Sequence, residues 1–162
     1  MEHKIIDTKE VVIRFTGDSG DGMQLTGTLF ADASALYGNE ISTFPDYPAE
    51  IRAPQGTVAG VSGFQVHIGQ TEVKTPGDFC DVLVAMNPAA LKANAKWAKP
   101  GASIILDEDA FDEKGLEKAG FKTNDPIEEM NLKDYHIIWA PITTLTKESL
   151  KDSGLDNKAI VR

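Results

Sequence analysis

The chain has 162 residues, of which 41% are hydrophobic and 25% charged, and its formal net charge is −9 at pH 7. This length fits one domain with a substantial core, and the acidic balance argues against nucleic acid as a partner, because phosphate binding needs a basic face. No apolar run approaches the roughly 18 residues of a membrane span, and the first residues lack the apolar core of a signal peptide. We therefore expect no membrane partner and a cytoplasmic location.

The cysteine content limits the chemistry that this chain can hold. Its one cysteine, Cys80, excludes an intrachain disulfide framework and a cysteine-rich metal or iron–sulfur site. Cys80 precedes an apolar strand, and we expect it to be a small buried residue.

The first predicted elements are a strand over residues 10–16, a glycine-rich turn, and a helix over about 21–37. The turn consists of Gly17, Asp18, Ser19, Gly20, Asp21 and Gly22. Its glycines allow a tight turn and a close approach to a ligand, and the amides at a helix start favour an anion. The pattern is typical of a nucleotide- or anion-binding α/β domain. The alternative is a tight turn without a ligand, since such turns recur in all α/β folds.

The predicted helix has two apolar stripes at helical spacing. Leucines dominate one face, together with an alanine: Leu25, Leu29, Ala33 and Leu36. Small residues recur every four positions on a neighbouring face: Gly27, Ala31 and Ala35. These small residues would let the helix approach a sheet or a partner closely, and the tolerance of Gly38 and Asn39 for the left-handed region would end it.

A short second strand is predicted over residues 41–44, followed by a long loop over 45–56. Three prolines within ten residues of that loop argue against a regular element. The loop carries Glu50 and Arg52, and long loops in compact domains tend to be functional. A solvated loop with an incidental surface charge pair is the alternative.

The middle of the chain predicts an antiparallel hairpin. Residues 64–68 and 71–75 alternate with period two around Gly69 and Gln70, a typical two-residue connection. Since the other elements alternate between strand and helix, the expected fold is a three-layer α/β/α domain with a mainly parallel, mixed sheet.

The remaining elements are predicted from local signals. A buried strand over 81–86 precedes Asn87 and Pro88, which form a good N-cap and first helical position, and the helix then runs to about Trp97. Further elements are a strand over 102–106 with Asp107 at its carboxyl end, a short helix over 111–119, a weak strand over 121–123 and a strand over 135–140. Residues 155–162 resemble a capped helix that is only beginning. We therefore expect residues 1–162 to be a single domain from a longer subunit.

Three familiar motifs fit the glycine turn poorly. Gly-Asp-Ser-Gly is shared with the nucleophile turn of chymotrypsin-like proteases, but nothing places His67 or His136 beside Ser19, and both are expected to be structural histidines. Gly-Asp-Gly resembles the start of a thiamine diphosphate motif, but no asparagine follows at the required distance. A Rossmann dinucleotide site needs G-x-G-x-x-G and an acid at the end of the second strand. Here the spacing is G-x-x-G-x-G, and Asp46 is the candidate acid.

Two long signatures resemble one enzyme family. Residues 17–27, GDSGDGMQLTG, are similar to the opening of the gamma region of 2-oxoacid:ferredoxin oxidoreductases. Residues 43–54, TFPDYPAEIRAP, resemble that family's second signature with its acid-x-arginine core, here Glu50 and Arg52. Residues 61–66 and 81–87 continue the similarity, which covers most of residues 10–145. It is greatest to the 2-oxoglutarate branch, in which this gamma region often precedes the alpha region in one subunit.

The resemblance implies a role in converting a 2-oxoacid, coenzyme A and oxidised ferredoxin into acyl-CoA, carbon dioxide and reduced ferredoxin. It implies that thiamine diphosphate, magnesium and iron–sulfur clusters act mostly in other regions. The isolated domain is then expected to bind none of them and to be inactive. The implied partners are the alpha and beta regions, with ferredoxin reached through the complex.

The candidate cofactor-binding residues are those of the glycine turn with Glu50, Arg52 and Asn87. No residue is assigned a catalytic or metal-binding role. The family's glycine signature is usually closer to G-x-G-G-x-G, so Asp18 and Ser19 depart from it. The competing interpretation is a standalone NAD- or nucleotide-binding Rossmann-like module.

Overall fold

The computed structural model describes residues 7–18, 21–46 and 61–151, and these form a sheet with helices on both faces. The sheet order is β2-β3-β1-β4-β5-β6. The strands are β1 (Glu10–Asp18), β2 (Glu40–Asp46), β3 (Val61–Gly69), β4 (Cys80–Ala85), β5 (Ala98–Asp107) and β6 (His136–Ala140). Strand β4 is parallel to β1, β5 is parallel to β4, and β6 is parallel to β5. Strand β3 is antiparallel to both β1 and β2. The predicted mixed, mainly parallel sheet is confirmed.

Side chains of β1 alternate between two apolar cores, one on each face of the sheet. Ile13 and Phe15 join the core under the first helix, whereas Val12 points into the core on the opposite face. The helices are α1 (Met23–Leu36), α2 (Pro88–Asn94), α3 (Glu113–Lys118), α4 (Pro126–Glu129) and α5 (Ile142–Ser149). Helix α1 packs on the first core through Met23, and α2 packs on the second through Leu91. This is the expected three-layer arrangement.

The predicted hairpin is wrong. Residues 64–68 do lie in an antiparallel strand, but β3 pairs along one edge with β1 and along the other with β2. Both edges of β3 are thus occupied, which leaves none for residues 71–75, and these lie in no strand. The alternation in residues 71–75 reflects no sheet pairing.

Two strands extend across prolines that the sequence predicted to lie outside them. Strand β2 continues through Pro45 to Asp46, which is tolerated because β2 is an edge strand and lacks a partner for an N–H on its outer side. Strand β5 likewise begins at Ala98 and includes Pro100. Residues 121–123 form no strand, and neither α4 nor α5 was predicted from the sequence. The predicted helix start at 155–162 lies outside the described residues.

Helix α1 presents its small residues to the sheet. Gly27 and Ala31 are buried, and a Cβ at Gly27 would collide with the ring of Phe64 on β3. The leucine stripe faces outward: Leu25 is 64% exposed and Leu29 is 58% exposed. The helix therefore approaches the sheet closely through its stripe of small residues. The leucines on the other side have no partner in the described part of the chain. No helix there combines the length and apolarity needed to cross a bilayer.

Candidate functional site

The glycine turn lies where the chain topology reverses direction. From β1 the chain passes through α1 toward the β2 edge, and from β4 it passes through α2, on the opposite face, toward β5. A crevice at the carboxyl ends of two such neighbouring strands is the usual ligand site of open α/β sheets. Gly17 and Asp18 end β1 and Asn87 follows β4, so the fold brings these predicted site residues together.

Gly17 is required by close packing within this turn. It is buried, and a Cβ there would lie 2.8 Å from the Oδ2 of Asp21 and 3.1 Å from the Cβ of Met86. Gly22 is the N-cap of α1 with φ of 70°, a left-handed conformation that favours glycine. These two glycines are explained by the geometry of the turn itself, without a ligand.

Asp21 and Asn87 connect the two halves of the crevice. The Oδ2 of Asp21 accepts hydrogen bonds from the backbone N–H of Asp18 at 2.8 Å and from the Nδ2 of Asn87 at 2.8 Å. The Oδ1 of Asn87 in turn accepts from the backbone N–H of Ala90 at 2.8 Å and caps α2, as predicted. One asparagine thus fixes the start of α2 and the turn before α1 at the same time.

The electrostatics of this crevice oppose a second negative charge. Burial raises the pKa of Asp18 above its usual range, the neighbouring Asp21 carboxylate raises it further, and the amide of Asn87 acts in the opposite direction. The backbone N–H of Asp21 already donates to the carbonyl of Asp18 at 3.0 Å. Two carboxylates and an engaged amide make the described part of the turn a poor phosphate cradle and a better acceptor for hydrogen-bond donors.

A buried arginine that the sequence analysis did not single out lies behind this site. Arg14 on β1 is 6% exposed, and its guanidinium donates to the Oδ1 of Asn94 at 3.0 Å and to the Oε1 of Gln65 at 3.1 Å. It also pairs with the carboxylate of Asp46 and lies 5.8 Å from the ring centroid of Trp97. The signal was present in the sequence, since a charged residue interrupts the apolar run of β1.

Gly63 allows Arg14 to reach Asp46. The two residues lie on β1 and β2, with β3 between them. A Cβ at Gly63 would lie 3.1 Å from one terminal nitrogen of Arg14 and 3.3 Å from its Cζ, closer than ordinary contact. The missing side chain therefore leaves the path across β3 open. In this arrangement Asp46 is occupied by Arg14 and lies two strands away from β1, which does not match the ribose-binding acid of a Rossmann site.

Asp107 is a further carboxylate at the same edge of the sheet. It is 2% exposed and accepts from the backbone N–H of Ile142 at 2.9 Å and from the hydroxyl of Thr143 at 2.8 Å. These bonds fasten the start of α5 to the end of β5. Asp107 thus has a structural role two strands from the glycine turn.

Four predicted site residues lie outside the described part of the chain, whereas both candidate histidines and the cysteine lie within it. Ser19 and Gly20 of the turn lie outside the described residues, as do Glu50 and Arg52. His67 and His136 lie on β3 and β6, as predicted, and the Nδ1 of His67 is 2.6 Å from the carbonyl of Thr75. Cys80 is fully buried, also as predicted, and burial is the main reason that its pKa is raised to about 11.

The described residues do not fit the metal groups that the resemblance implies. No cluster of three or more His, Cys, Asp or Glu side chains suited to a metal ion occurs among them. In the Gly-Asp-Gly segment, the Oδ2 of Asp21 already accepts two hydrogen bonds from within the fold. The thiol of Cys80, the chain's one cysteine, lies 3.4 Å from the carbonyl of Trp97 in the core.

Comparison with known proteins defines the class. Residues 12–161 match the model of the pyruvate ferredoxin/flavodoxin oxidoreductase family, and the chain belongs to that family. It is 51% identical over 150 residues to the 2-oxoglutarate oxidoreductase subunit KorA of Mycobacterium tuberculosis. That match covers 93% of this chain but 23% of the relative. This chain is also 28% identical to the 2-oxoglutarate synthase subunit KorC of Methanothermobacter marburgensis, and that match covers 92% of this chain and 73% of KorC.

Solved structures share the fold. One is a 2-oxoglutarate:ferredoxin oxidoreductase from Magnetococcus marinus with 2-oxoglutarate, coenzyme A and succinyl-CoA bound. It is 26% identical to this chain with a TM-score of 0.64, and the match covers 90% of this chain and 22% of that one. Another is a keto/oxoacid ferredoxin oxidoreductase gamma subunit from Geobacter sulfurreducens, which is 23% identical with a TM-score of 0.58. The match covers 86% of this chain and 66% of that one, and it supports the fold alone. This chain is therefore similar both to separate subunits and to one region of longer chains.

Proposed function

We propose that this chain is the gamma-region domain of a 2-oxoacid:ferredoxin oxidoreductase that acts on 2-oxoglutarate. The observation that carries the proposal is the 51% identity to a 2-oxoglutarate oxidoreductase subunit, which extends over 93% of this chain. In the proposed reaction the bond between the carboxyl and keto carbons breaks and the carboxyl group leaves as carbon dioxide. The acyl group forms a thioester with coenzyme A, whose thiol proton is released, and the two electrons of the broken bond pass one at a time to oxidised ferredoxin.

The proposed role of this domain is to position partners and substrate. When bound elsewhere in the complex, thiamine diphosphate supplies carbanion stabilisation and iron–sulfur clusters supply electron transfer. The hydrogen-bonded pair of Asp21 and Asn87 holds the crevice edge in one shape. We infer that this edge receives hydrogen-bond donors of a neighbouring region, because Asp18 and Asp21 repel anions. Gly17 and Gly22 shape the described part of the turn.

The second proposed contact is the segment with Glu50 and Arg52. The backbone enters this segment directly after Asp46, which Arg14 holds to the sheet. Arg52 has the planar fork that binds a carboxylate or phosphate in a bidentate manner. We infer that Arg52 meets such a group near the coenzyme A or thiamine pocket of the complex, and that Glu50 orients the guanidinium or pairs with a basic side chain.

The proposed function is tested with the native complex that contains this chain. The complex is purified from the source organism, and reduction of ferredoxin is measured with 2-oxoglutarate and with pyruvate, each with and without coenzyme A. We expect reduction to depend on both 2-oxoglutarate and coenzyme A, with succinyl-CoA and carbon dioxide formed in equal amounts. The isolated chain, titrated with NAD and with coenzyme A, serves as the control for a standalone nucleotide-binding module.

Two results would contradict the proposal. Preference for pyruvate over 2-oxoglutarate by the intact complex would reject the substrate. Tight binding of NAD by the isolated chain, in the absence of any co-purifying oxidoreductase region, would reject the function and favour the Rossmann-like module.

A further inference from the structure

Helix α1 is apolar on two opposite faces. Its sheet-facing stripe is Met23, Gly27 and Ala31, and these residues are buried. Leu25 follows Met23 by two residues, a rotation of about 200° around the helix axis, so the leucines point directly away from the sheet. Leu25, Leu29 and Leu36 lie within one narrow stripe and are 64%, 58% and 89% exposed.

The composition of α1 is unlike that of a helix that faces water. A surface helix carries charged and polar residues opposite its buried stripe, whereas α1 carries three exposed leucines there. Among its 14 residues, α1 has one ionisable side chain, Asp32, and no basic residue. Contiguous exposed apolar surface of this kind is typical of a protein interaction site. We call the outward stripe of Leu25, Leu29, Asp32 and Leu36 the leucine face.

We propose that the leucine face of α1 is the surface on which the rest of the oxidoreductase packs, through an apolar protein surface that brings a lysine or arginine to Asp32. The inference rests on the proposed function and adds the surface and the chemistry of its partner. It fits the relative KorA, in which the matched residues make up 23% of the chain, so that a region similar to this one is joined to a much longer one.

Asp32 argues against a second copy of this chain as the occupant. In a two-fold contact both copies use the same patch, with residue i of one copy against residue j of the other, so a contact between two leucine faces would contain two Asp32 carboxylates. Since α1 has no lysine or arginine, it supplies no cation for either carboxylate. Burying two unpaired carboxylates costs free energy and offsets part of what burial of the leucines contributes. A different partner with a basic residue removes this cost.

The test measures how accessible the leucine face is in the assembled enzyme. Leu29→Cys is introduced on the leucine face and Gln70→Cys, as the control, at an exposed site beyond the amino end of β1. The native thiol gives little background, because Cys80 is fully buried and its pKa is raised to about 11. Maleimide labelling rates are compared in the isolated chain and in the purified oxidoreductase complex.

We expect Leu29→Cys to react at least about tenfold more slowly in the complex than in the isolated chain, as for a residue in a desolvated interface core. Gln70→Cys should react at similar rates in both. A second variant, Leu29→Glu, should weaken retention of the chain in the complex, whereas Leu29→Met should retain it. Because residue 29 is exposed, both variants should unfold in urea at midpoints close to that of the wild type.

Each other outcome overturns the proposal. Equal labelling of Leu29→Cys in the isolated chain and in an active complex would exclude the leucine face as the interface and leave the proposed function intact. Concentration-dependent protection in the isolated chain, together with a dimer by sedimentation, would assign the face to a second copy. Failure of the wild-type chain to join any oxidoreductase complex would reject the function and this inference together.

Discussion

At the scale of single residues, the pKa of Asp18 predicts how stability depends on pH. Burial and the neighbouring Asp21 raise this pKa in the folded protein above the value of about 3.9 for an unfolded chain. A raised acid pKa means that the folded state binds the proton more tightly. The stability contributed by Asp18 is therefore fully present below about pH 4 and is lost as the pH rises through the folded pKa.

Asp18→Asn should accordingly be more stable than the wild type at pH 7 and lose that advantage below about pH 4. Urea unfolding followed by circular dichroism from acidic to neutral pH measures the difference. Asp78→Asn is the control, because residue 78 precedes the amino end of β4, at the opposite edge of the sheet from Asp18 and Asp21. An equal stability difference between Asp18→Asn and the wild type at all pH values would contradict the assignment.

Gly63 provides a second prediction at this scale. Gly63→Ala should destabilise the fold by about 1–3 kcal/mol, the usual cost of overpacking, because the new Cβ presses on a guanidinium held by three side chains. The matched control is the same substitution in an Arg14→Met background. There the contacting atoms are absent, so the additional loss should be much smaller when both pairs are compared by urea unfolding. An unchanged loss would show that the glycine serves another purpose.

At the scale of elements, Asn87 connects the start of α2 to the turn before α1. Asn87→Ala should destabilise the protein by more than about 1 kcal/mol, the typical value of an N-cap, since it also removes the donor to Asp21. Asp112→Ala and Asp125→Ala remove the caps of α3 and α4 and serve as matched controls. Asn87→Ser keeps a capping oxygen and should give an intermediate loss in urea unfolding. Equal losses for all three alanine variants would mean that the bond to Asp21 contributes nothing.

At the scale of the whole molecule, the proposed role of Arg52 is tested in the assembled oxidoreductase. Arg52→Lys keeps the charge and loses the planar fork, and we expect coupling to coenzyme A or to the neighbouring region to fall by about 1–3 kcal/mol, the range for hydrogen bonds to charged groups. Activity, coenzyme A affinity and subunit association are measured in Arg52→Lys and Glu50→Gln. Lys118→Glu, at an exposed position on α3, is the control for a change of surface charge. Wild-type values for both variants in all three measurements would mean that Glu50 and Arg52 have no role in binding or assembly.

Local signals in the sequence determined the first strand, the glycine turn, α1, the strand before Asn87 and the cap of α2. Each depends on residues within a few positions of one another: β-branched runs favour strands, glycine tolerates left-handed backbone, and an asparagine before a proline caps a helix. The fold class followed from the order of these elements, and the family resemblance followed from the signatures in residues 17–27 and 43–54. The position of the glycine turn beside Asn87 depends in addition on the parallel pairing of β1 with β4.

The tertiary structure alone decided which surfaces those elements share. The period-two pattern near residue 66 predicted a hairpin, but pairing of β3 depends on which edges β1 and β2 offer. The two stripes of α1 were both visible, yet contact with Phe64 selected the small stripe for the sheet and left the leucines outside. The bond from Arg14 to Asp46 spans 32 positions and crosses an intervening strand at Gly63. Such choices are made by close packing between residues distant in the chain, which no local pattern encodes.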